Sequence, residues 1–295
     1  MNENDAVDYL SIENKLVVVK RGERMTIGID RGLSDNSVRV WGEFPLGSRG
    51  FGARLSVPNP SLWAAKLFLK ALKDRGIQVQ GSAETRDSRV APNDRFNPSA
   101  STELAFVSSK PLGEIVEDTN KASINLYAEL LLRTLGRERG NLVSTPTPTG
   151  RERGDDEAGL ELIRLWLSRA GISTAGMALH DGSGLSRLNL VTPESISKLL
   201  VSISKTAAGP VFRASLPISG RDGTLGGRLE KLSDRVVAKT GSLTYTTSLS
   251  GYVTVAGGEI LAFSILCNDQ TARASSTRVI DQIVSILATD VAIKG

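Results

Sequence analysis

Two strongly apolar runs near the C-terminus constrain the fold more than any other feature of the sequence. Residues 249–255 and 260–266 are separated by only four residues, Ala-Gly-Gly-Glu, which is typical of a turn between antiparallel strands. Another β-prone run, residues 236–238, precedes them, and a helical stripe follows. The residues of this stripe, spaced i, i+3, i+4, i+7, are Ile280, Ile283, Val284 and Leu287. The pattern predicts one antiparallel sheet with a closing helix, starting at about Ser276, packed on it.

The first hundred residues alternate short β-prone runs with turn residues and include one helix. The β-prone runs are residues 16–19, 25–29 and 38–41. Pro60 suits the first turn of the helix and Gly76 suits its end, after which residues 77–79 can return as a strand. This region predicts a small α/β domain.

Helical patterns dominate the middle of the chain, before the C-terminal strands. One helical segment is predicted over residues 111–136. We therefore expect two domains, residues 1–102 and residues 103–295, with the polar stretch 87–102 at their boundary. Within the second domain, a helical lobe should lie beside the sheet, and the cleft between them is the default site.

Composition excludes several classes of protein. Of the 295 residues, 40% are hydrophobic and 23% are charged, and the net charge is +4, which is ordinary for a globular protein. No run approaches the roughly 18 apolar residues of a membrane span, and no basic run is interleaved with aromatics as in a nucleic-acid binder. Cys267 is the single cysteine and His180 the single histidine, which excludes an intramolecular disulfide and a multi-histidine metal site. Residues 1–15 have no signal-peptide pattern.

The triplet Lys239-Thr240-Gly241, followed by Ser242, ends the first strand of the predicted sheet. A lone Lys-Thr-Gly triplet is weak evidence, since a lysine at a strand end is usually solvated. A cation, a hydroxyl and a glycine at a strand end nevertheless suit the binding of a substrate carboxylate and of a peptide laid along the strand.

A second triplet, Ser-Ile-Asn at residues 123–125, lies inside the predicted helical segment. Alone it indicates a helix cap or a polar kink. If the lobe faces the sheet, Ser123 offers a hydroxyl for proton relay and Asn125 a carboxamide that can donate to a carbonyl. We therefore expect Ser123 and Asn125 to converge with Lys239 and Thr240 in one cleft.

Two Gly-rich loops lie between these triplets: Asp-Gly-Ser-Gly-Leu-Ser at residues 181–186 and Asp-Gly-Thr-Leu at residues 222–225. Each loop alone is a tight turn in which Asp and Ser satisfy backbone groups. These loops lie between Asn-Lys-x-Ser-x-Asn-Leu at residues 120–126 and Lys-Thr-Gly-Ser at residues 239–242. With these four motifs in this order, the chain resembles the class C low-molecular-mass penicillin-binding proteins. These are the S13 peptidase family of D-alanyl-D-alanine carboxypeptidases and endopeptidases. The resemblance extends over nearly the whole chain.

The resemblance implies a mixed α/β (α+β) fold, the penicillin-binding or serine β-lactamase-like transpeptidase fold, with an antiparallel sheet flanked by helices and a helical lobe. Residues 1–102 would be the C-terminal part of an inserted small α/β domain, and residues 103–295 a catalytic domain without its N-terminal segment. It further implies a serine-type enzyme that cleaves peptidoglycan stem peptides ending in D-Ala-D-Ala, in the periplasm or outside the cell. β-Lactams would inhibit the intact enzyme, and no metal or organic cofactor is implied.

Site residues carry over from the family's motifs one by one. By this resemblance Ser123 relays a proton to the leaving amine, Asn125 holds the substrate amide and Lys239 polarises the site. The residues implied to bind the substrate, with its terminal carboxylate, are Thr240, Gly241 and Ser242.

One departure from the family pattern bears on activity. Nothing before Ser123 matches the family's Ser-x-x-Lys motif, whose serine is acylated and whose lysine acts as its base. The pattern occurs only at residues 195–198 and 202–205, where the seven-residue repeat predicts an exposed helix face. We therefore expect this chain alone to be inactive. The alternatives are a catalytically silent binder of peptidoglycan peptides and a β-lactamase-like esterase that uses Ser195 or Ser202.

Overall fold

A computed structural model describes residues 7, 9–33, 35–53, 55–86, 97–143, 154–270 and 276–289. The chain divides into two compact units, residues 1–106 and residues 107–295. Most of the polar stretch predicted at the domain boundary, residues 87–102, lies outside the described residues. Among the helices of the described part, none combines the length and the apolar character needed to cross a membrane.

The first unit contains a three-stranded sheet and one helix. Their bounds are β1 Ser11–Val19, β2 Thr26–Arg31, β3 Ser37–Pro45 and α1 Pro60–Asp74. The strand order is β1-β3-β2, with β1 parallel and β2 antiparallel to β3. Helix α1 begins where predicted, because the Asn59 side chain accepts the amide of Leu62 at 3.1 Å and Pro60 occupies the first turn.

The strand predicted at residues 77–79 is wrong. This segment pairs with no strand of the described part, and the side chains of Ile77 and Val79 are exposed. A short β-prone run without a partner strand or a packing surface gains nothing from an extended sheet conformation, because β-propensity reflects packing on a pleated surface. The buried apolar side chains described in this unit are Tyr9, Val38 and Pro45.

The second unit combines six helices and three strands in its described part. The helices are α2 Leu112–Lys121, α3 Asn125–Arg139, α4 Asp155–Arg169, α5 Pro193–Ser204, α6 Gly209–Ser215 and α7 Ser276–Thr289, and the strands are β4 Val236–Leu243, β5 Thr246–Thr254 and β6 Ile260–Cys267. The strands form one antiparallel sheet in the order β4-β5-β6, as the sequence predicts. The predicted turn joins β5 to β6, closed by the Val255 amide donating to the Glu259 carbonyl at 2.9 Å.

Helices cover both faces of this sheet. On one face α7 packs as predicted, and the buried side chains there include Val236, Leu249, Val253, Ile280 and Val284. Ile283 of the predicted stripe is exposed instead. The opposite face packs against α5 and the end of α6, through Leu200, Leu216, Val237 and Tyr252. Because side chains alternate along a strand, Lys239 belongs to the same face of β4 as Val237, away from α7.

The helical segment predicted over residues 111–136 is instead two helices, α2 and α3, separated by a break at residues 122–124. Gly136 does not end α3, which continues to Arg139. It lies where α3 packs on α4, and a Cβ at this position would collide with backbone atoms of Asp155 and Gly159. The glycine therefore permits a close approach between helices and does not act as a helix terminator.

Candidate active site

Ser123 lies in the tight turn between α2 and α3. Its φ is 55°, a left-handed backbone conformation that is uncommon for residues with a Cβ. The Ala122 amide donates to the Asp118 carbonyl at 3.2 Å, and the Ile124 amide donates to the Thr119 carbonyl at 3.1 Å. The Ser-Ile-Asn triplet therefore forms the break between two helices, with an exposed serine, and is not inside one helix.

The structure brings Ser123 and Lys239 together. The Lys239 Nζ donates to the Ser123 Oγ at 2.8 Å, across 116 positions of sequence. It also donates to the Thr240 carbonyl at 2.8 Å. The predicted convergence of the two triplets is thus confirmed for this pair of side chains, which connects the helical lobe to β4.

The ammonium of Lys239 is poorly solvated. Burial lowers the pKa of Lys239 below its ordinary value of 10.5, because removal of water disfavours the charged form. Within the described part of the chain, no carboxylate forms an ion pair with it that would offset this effect. An amine with a lowered pKa exchanges a proton with a neighbouring hydroxyl more readily near neutral pH, so the Ser123–Lys239 contact is suited to proton relay.

The three residues after Lys239 continue along β4. The Thr240 hydroxyl donates to the Thr224 hydroxyl at 2.8 Å, and Ser242 is exposed near the strand end. Gly241 stands opposite Ser248 of β5, and a Cβ at Gly241 would collide with the Ser248 hydroxyl. The strand therefore carries hydroxyl groups on either side of Gly241, where the lack of a side chain keeps the space next to Ser248 open.

Asn125 is the first residue of α3 and is exposed. It lies two positions after Ser123, at the mouth of the same turn. Among the described contacts, its carboxamide makes no hydrogen bond to Lys239 or Thr240. The convergence predicted for Asn125 therefore rests only on its place next to Ser123.

Asp181 organises the first Gly-rich loop. Its carboxylate accepts the Gly184 amide at 2.7 Å, the Ser186 amide at 2.6 Å and the Asn189 side-chain amide at 2.8 Å. Burial raises the pKa of Asp181, but these hydrogen bonds outweigh burial and hold the pKa below its ordinary value of 3.8. The loop is a structural turn in which Asp satisfies backbone groups, as its sequence predicts.

This loop also connects α3 to the sheet. Glu129 of α3 accepts the amides of Gly182 and Ser183 at 3.2 and 3.1 Å. At the other side of the loop, Arg187 donates to the Thr244 carbonyl, just beyond β4, at 2.7 Å. The loop therefore holds the start of α3, and with it the Ser123 turn, beside the β4–β5 end of the sheet.

An ion pair beside the Ser123 turn is not predicted by the sequence patterns. Lys121 Nζ lies 2.6 Å from a carboxylate oxygen of Asp222, in the second Gly-rich loop. One sequence signal could have indicated this ion pair: Lys121 stands two residues before Ser123, and Asp222, of opposite charge, stands two residues before Thr224.

The late Ser-x-x-Lys patterns do not form serine–lysine pairs in the described contacts. Ser195 is buried, and its hydroxyl donates to the Thr192 carbonyl at 2.8 Å in the N-terminal cap of α5. Lys198 instead pairs with Glu194 at 2.6 Å. The predicted exposed face is therefore wrong for Ser195, although it holds for Lys198 and Lys205.

Two other residues singled out by the sequence lie outside the Ser123–Lys239 contact. His180 is exposed, and its backbone amide donates to the Asn189 side chain at 2.8 Å. Cys267 is half-buried at the end of β6. Over the described ranges, no group of three or more His, Cys, Asp or Glu side chains is arranged to hold a metal ion.

Comparison with known proteins gives one consistent family. The sequence profile described as the D-Ala-D-Ala carboxypeptidase 3 (S13) family matches residues 2–290. A D-alanyl-D-alanine carboxypeptidase from Actinomadura sp. is 33% identical over 283 residues, which are 91% of this chain and 48% of that protein. The D-alanyl-D-alanine carboxypeptidase DacB from Haemophilus influenzae is 31% identical over 233 residues, 78% of this chain and 45% of that protein. This chain thus spans about half the length of these relatives.

A solved structure agrees on the fold. Penicillin binding protein 4 (dacB) from Haemophilus influenzae, in complex with a β-lactam, superposes with a TM-score of 0.74 at 26% sequence identity. The match covers 97% of this chain and 64% of that one. The mixed α/β, penicillin-binding fold predicted from the sequence is confirmed.

Proposed function

This chain belongs to the D-Ala-D-Ala carboxypeptidase 3 (S13) family, and from this premise we propose that its site serves serine-type D-alanyl-D-alanine carboxypeptidase chemistry on peptidoglycan stem peptides. The observation that carries the proposal is the hydrogen bond between Lys239 Nζ and Ser123 Oγ at 2.8 Å. It places a lysine of lowered pKa beside a hydroxyl, where the two triplets meet.

Each side chain has a place in this chemistry. A serine oxygen attacks the carbonyl of the penultimate D-Ala, the bond from that carbonyl carbon to the amide nitrogen breaks, and the terminal D-Ala leaves as an amine. Ser123, hydrogen-bonded to Lys239, relays the proton that this amine gains. Asn125 donates to the substrate amide from the start of α3. Water then hydrolyses the acyl-enzyme.

The substrate's C-terminal carboxylate belongs on β4. Thr240 and Ser242 carry hydroxyl groups there, and the Lys239 Nζ donates to the Thr240 carbonyl at 2.8 Å. Gly241 between them leaves room for a peptide backbone beside the strand. On this proposal, peptides with a free C-terminal carboxylate are preferred, because a peptide without one would leave these groups without their charged partner.

The attacking serine is not in this sequence as the family's Ser-x-x-Lys motif. The site formed by Ser123 and Lys239 therefore positions and polarises, and it needs an activated hydroxyl from outside this chain. Loss of such a nucleophile commonly reduces the rate by roughly a millionfold. We place the activity in the periplasm or outside the cell, where peptidoglycan is exposed, and we assign residues 1–102 to part of an inserted domain.

Incubation with benzylpenicillin followed by intact-protein mass spectrometry tests the proposal. The 295-residue chain alone should gain no mass, whereas a chimera that carries in front the part of the Actinomadura carboxypeptidase preceding its matched residues should gain one penicilloyl group. In the chimera, Lys239→Ala should slow acylation strongly. The control is Lys205→Ala, which removes an exposed lysine and should leave acylation unchanged. An adduct on Ser195 or Ser202 of the short chain would support the esterase alternative, and one on Ser123 would overturn its relay role.

A silent peptide-binding relative is the second candidate. The intact Ser123–Lys239 contact in a chain with no Ser-x-x-Lys motif before Ser123 favours it. In that case the short chain should bind a D-Ala-D-Ala peptide in a calorimetric titration and lose binding in Thr240→Val, while the chimera stays unacylated by benzylpenicillin. Acylation of the chimera would instead favour the enzyme.

A further inference from the structure

The ion pair between Lys121 and Asp222 is anchored at both ends. The two charged groups lie 2.6 Å apart, and their side chains are only 18% and 30% exposed. Lys121 Nζ also donates to the Leu216 carbonyl at 3.3 Å, and the other carboxylate oxygen of Asp222 accepts the Ile218 amide at 2.9 Å. Both side chains therefore have a fixed geometry, unlike most surface ion pairs.

The pair joins the two segments that carry the site. Lys121 is the last residue of α2, two positions before Ser123. Asp222 is two positions before Thr224, whose hydroxyl accepts from Thr240, the neighbour of Lys239 on β4. The path from Lys121 through Asp222 and Thr224 to Thr240 is thus a second connection between the end of α2 and β4, in addition to the direct contact between Ser123 and Lys239.

The junction between the end of α2 and the second Gly-rich loop is closely packed. Gly223 has a φ of 55°, and a Cβ there would lie 2.9 Å from the Lys121 carbonyl oxygen, closer than real Cβ contacts. A second link comes from Asn120, whose amide donates at 2.7 Å to the buried hydroxyl of Ser215. The end of α2 is therefore held on two consecutive residues just before the Ser123 turn.

We propose that Lys121 and Asp222 are positioning residues that hold the Ser123 turn on β4 and so fix the hydrogen bond between Ser123 Oγ and Lys239 Nζ. Neither residue touches the substrate carboxylate position on β4. They act through Ser123 and Thr224, by keeping the helical lobe and the strand in register. The proposal concerns the geometry of the site and holds whether or not the chain is an enzyme.

Titration of Lys239 by NMR in the full chain, labelled with ¹³C,¹⁵N-lysine, tests this. The Lys239 signal is identified by its loss in Lys239→Arg. In the Asp222→Asn variant, the contact between Ser123 and Lys239 should open and water should reach the Lys239 ammonium. The pKa of Lys239 should then move up toward the ordinary lysine value. Removal of a nearby negative charge alone would move the pKa down, so the direction separates positioning from simple electrostatics.

Matched variants complete the test. Asp118→Asn breaks the exposed ion pair (2.8 Å) between Asp118 of the same helix α2 and Lys110, which precedes the helix, and should leave the Lys239 titration unchanged. Asp222→Glu keeps a carboxylate, so the pKa of Lys239 in this variant should stay close to its wild-type value. If Asp222→Asn is unfolded by circular dichroism, Thr224→Val breaks the same path without a charge change and should raise the pKa of Lys239 as well. An unchanged or lowered pKa in a folded Asp222→Asn or Thr224→Val variant overturns the proposal.

Because no turnover or acylation is measured, a negative result in this titration leaves the proposed carboxypeptidase chemistry standing. Conversely, an unacylated chimera would leave the positioning role intact if the titration gives the expected shift.

Discussion

At the scale of single residues, the candidate site contains a charge that is costly to the fold. Lys239 is half-buried on β4 and donates to Ser123 and Thr240, neither of which is charged. A desolvated ammonium without a carboxylate partner lowers stability, and such groups persist where function requires them.

Lys239→Met should therefore stabilise the protein at neutral pH. The folded-state pKa of Lys239 is lowered by burial, so the unfolded chain binds its proton more tightly than the folded chain. Wild-type stability should rise as pH increases from that lowered pKa toward 10.5, and at lower pH the penalty is fully present. We expect a melting temperature higher by roughly 2 °C at pH 7 and a smaller difference at alkaline pH, measured by circular dichroism.

Lys231→Met is the control, because Lys231 is exposed and should change the melting temperature little. A Lys239→Met protein that is less stable than wild type at pH 7 would show that the hydrogen bonds of Lys239 outweigh its desolvation.

At the scale of elements, capping and close approaches decide which residues the helices and strands tolerate. Thr192 and Ser195 form the N-terminal cap of α5 through reciprocal bonds at 3.1 and 3.2 Å. On β5, Gly251 faces the α7 side and lies against the backbone of β4 at Val237 and Ala238. Each of these positions has a structural reason for its residue type.

Ser195→Ala should lower the free energy of unfolding by about 1 kcal/mol, because one side of the helix cap is lost. Ser202→Ala, in the last turn of α5, should change it by less than about 0.5 kcal/mol. Urea unfolding followed by fluorescence measures both. Equal effects of the two substitutions would contradict a capping role for Ser195.

Gly251→Ala should destabilise the sheet by about 1–3 kcal/mol, because its Cβ would meet the carbonyl of Val237, which is fixed in the strand ladder. Gly257→Ala, in the adjacent β5–β6 turn, meets no atom within 4 Å and has no positive φ, so its cost should stay below about 0.5 kcal/mol. Chemical denaturation of the two variants compares them directly. A tolerated Gly251→Ala would mean that β4 and β5 can separate without loss of packing.

At the scale of the whole molecule, buried apolar surface is unevenly distributed between the two units. Within the described residues, the first unit buries the apolar side chains Tyr9, Val38 and Pro45, while Val17, Val18 and Phe68 are more than 60% exposed. The second unit has buried layers on both faces of its sheet. Stability should therefore differ between the units, since buried apolar contacts set the resistance to local opening.

Hydrogen exchange followed by mass spectrometry should reveal this difference. Peptides from β1 and β3 should exchange at least about tenfold faster than peptides from β4 and β5, because their hydrogen bonds open without disrupting a core. Comparable protection in the two sheets would contradict the view that the first unit is the weaker one.

The sequence by itself determined the elements whose signals are local. The Gly-Gly turn between two apolar runs, the stripe of Ile280 and Val284, and the start of α1 at Pro60 each depend on a few neighbouring residues, and all three appear as predicted. The ordered motifs likewise identified the family. Such signals are readable because hydrophobic period and capping act over one or two turns of chain.

Only the tertiary structure decided the break at Ser123, the role of Gly136 and the pairs that build the site. Ser123 and Lys239 are 116 positions apart, and Lys121 and Asp222 are 101 positions apart. No local propensity encodes such distances, because they are set by the packing of α2, α3 and the Gly-rich loops beside β4. The strand predicted at residues 77–79 was wrong for the same reason: a strand requires a partner, and its presence is decided by the fold as a whole.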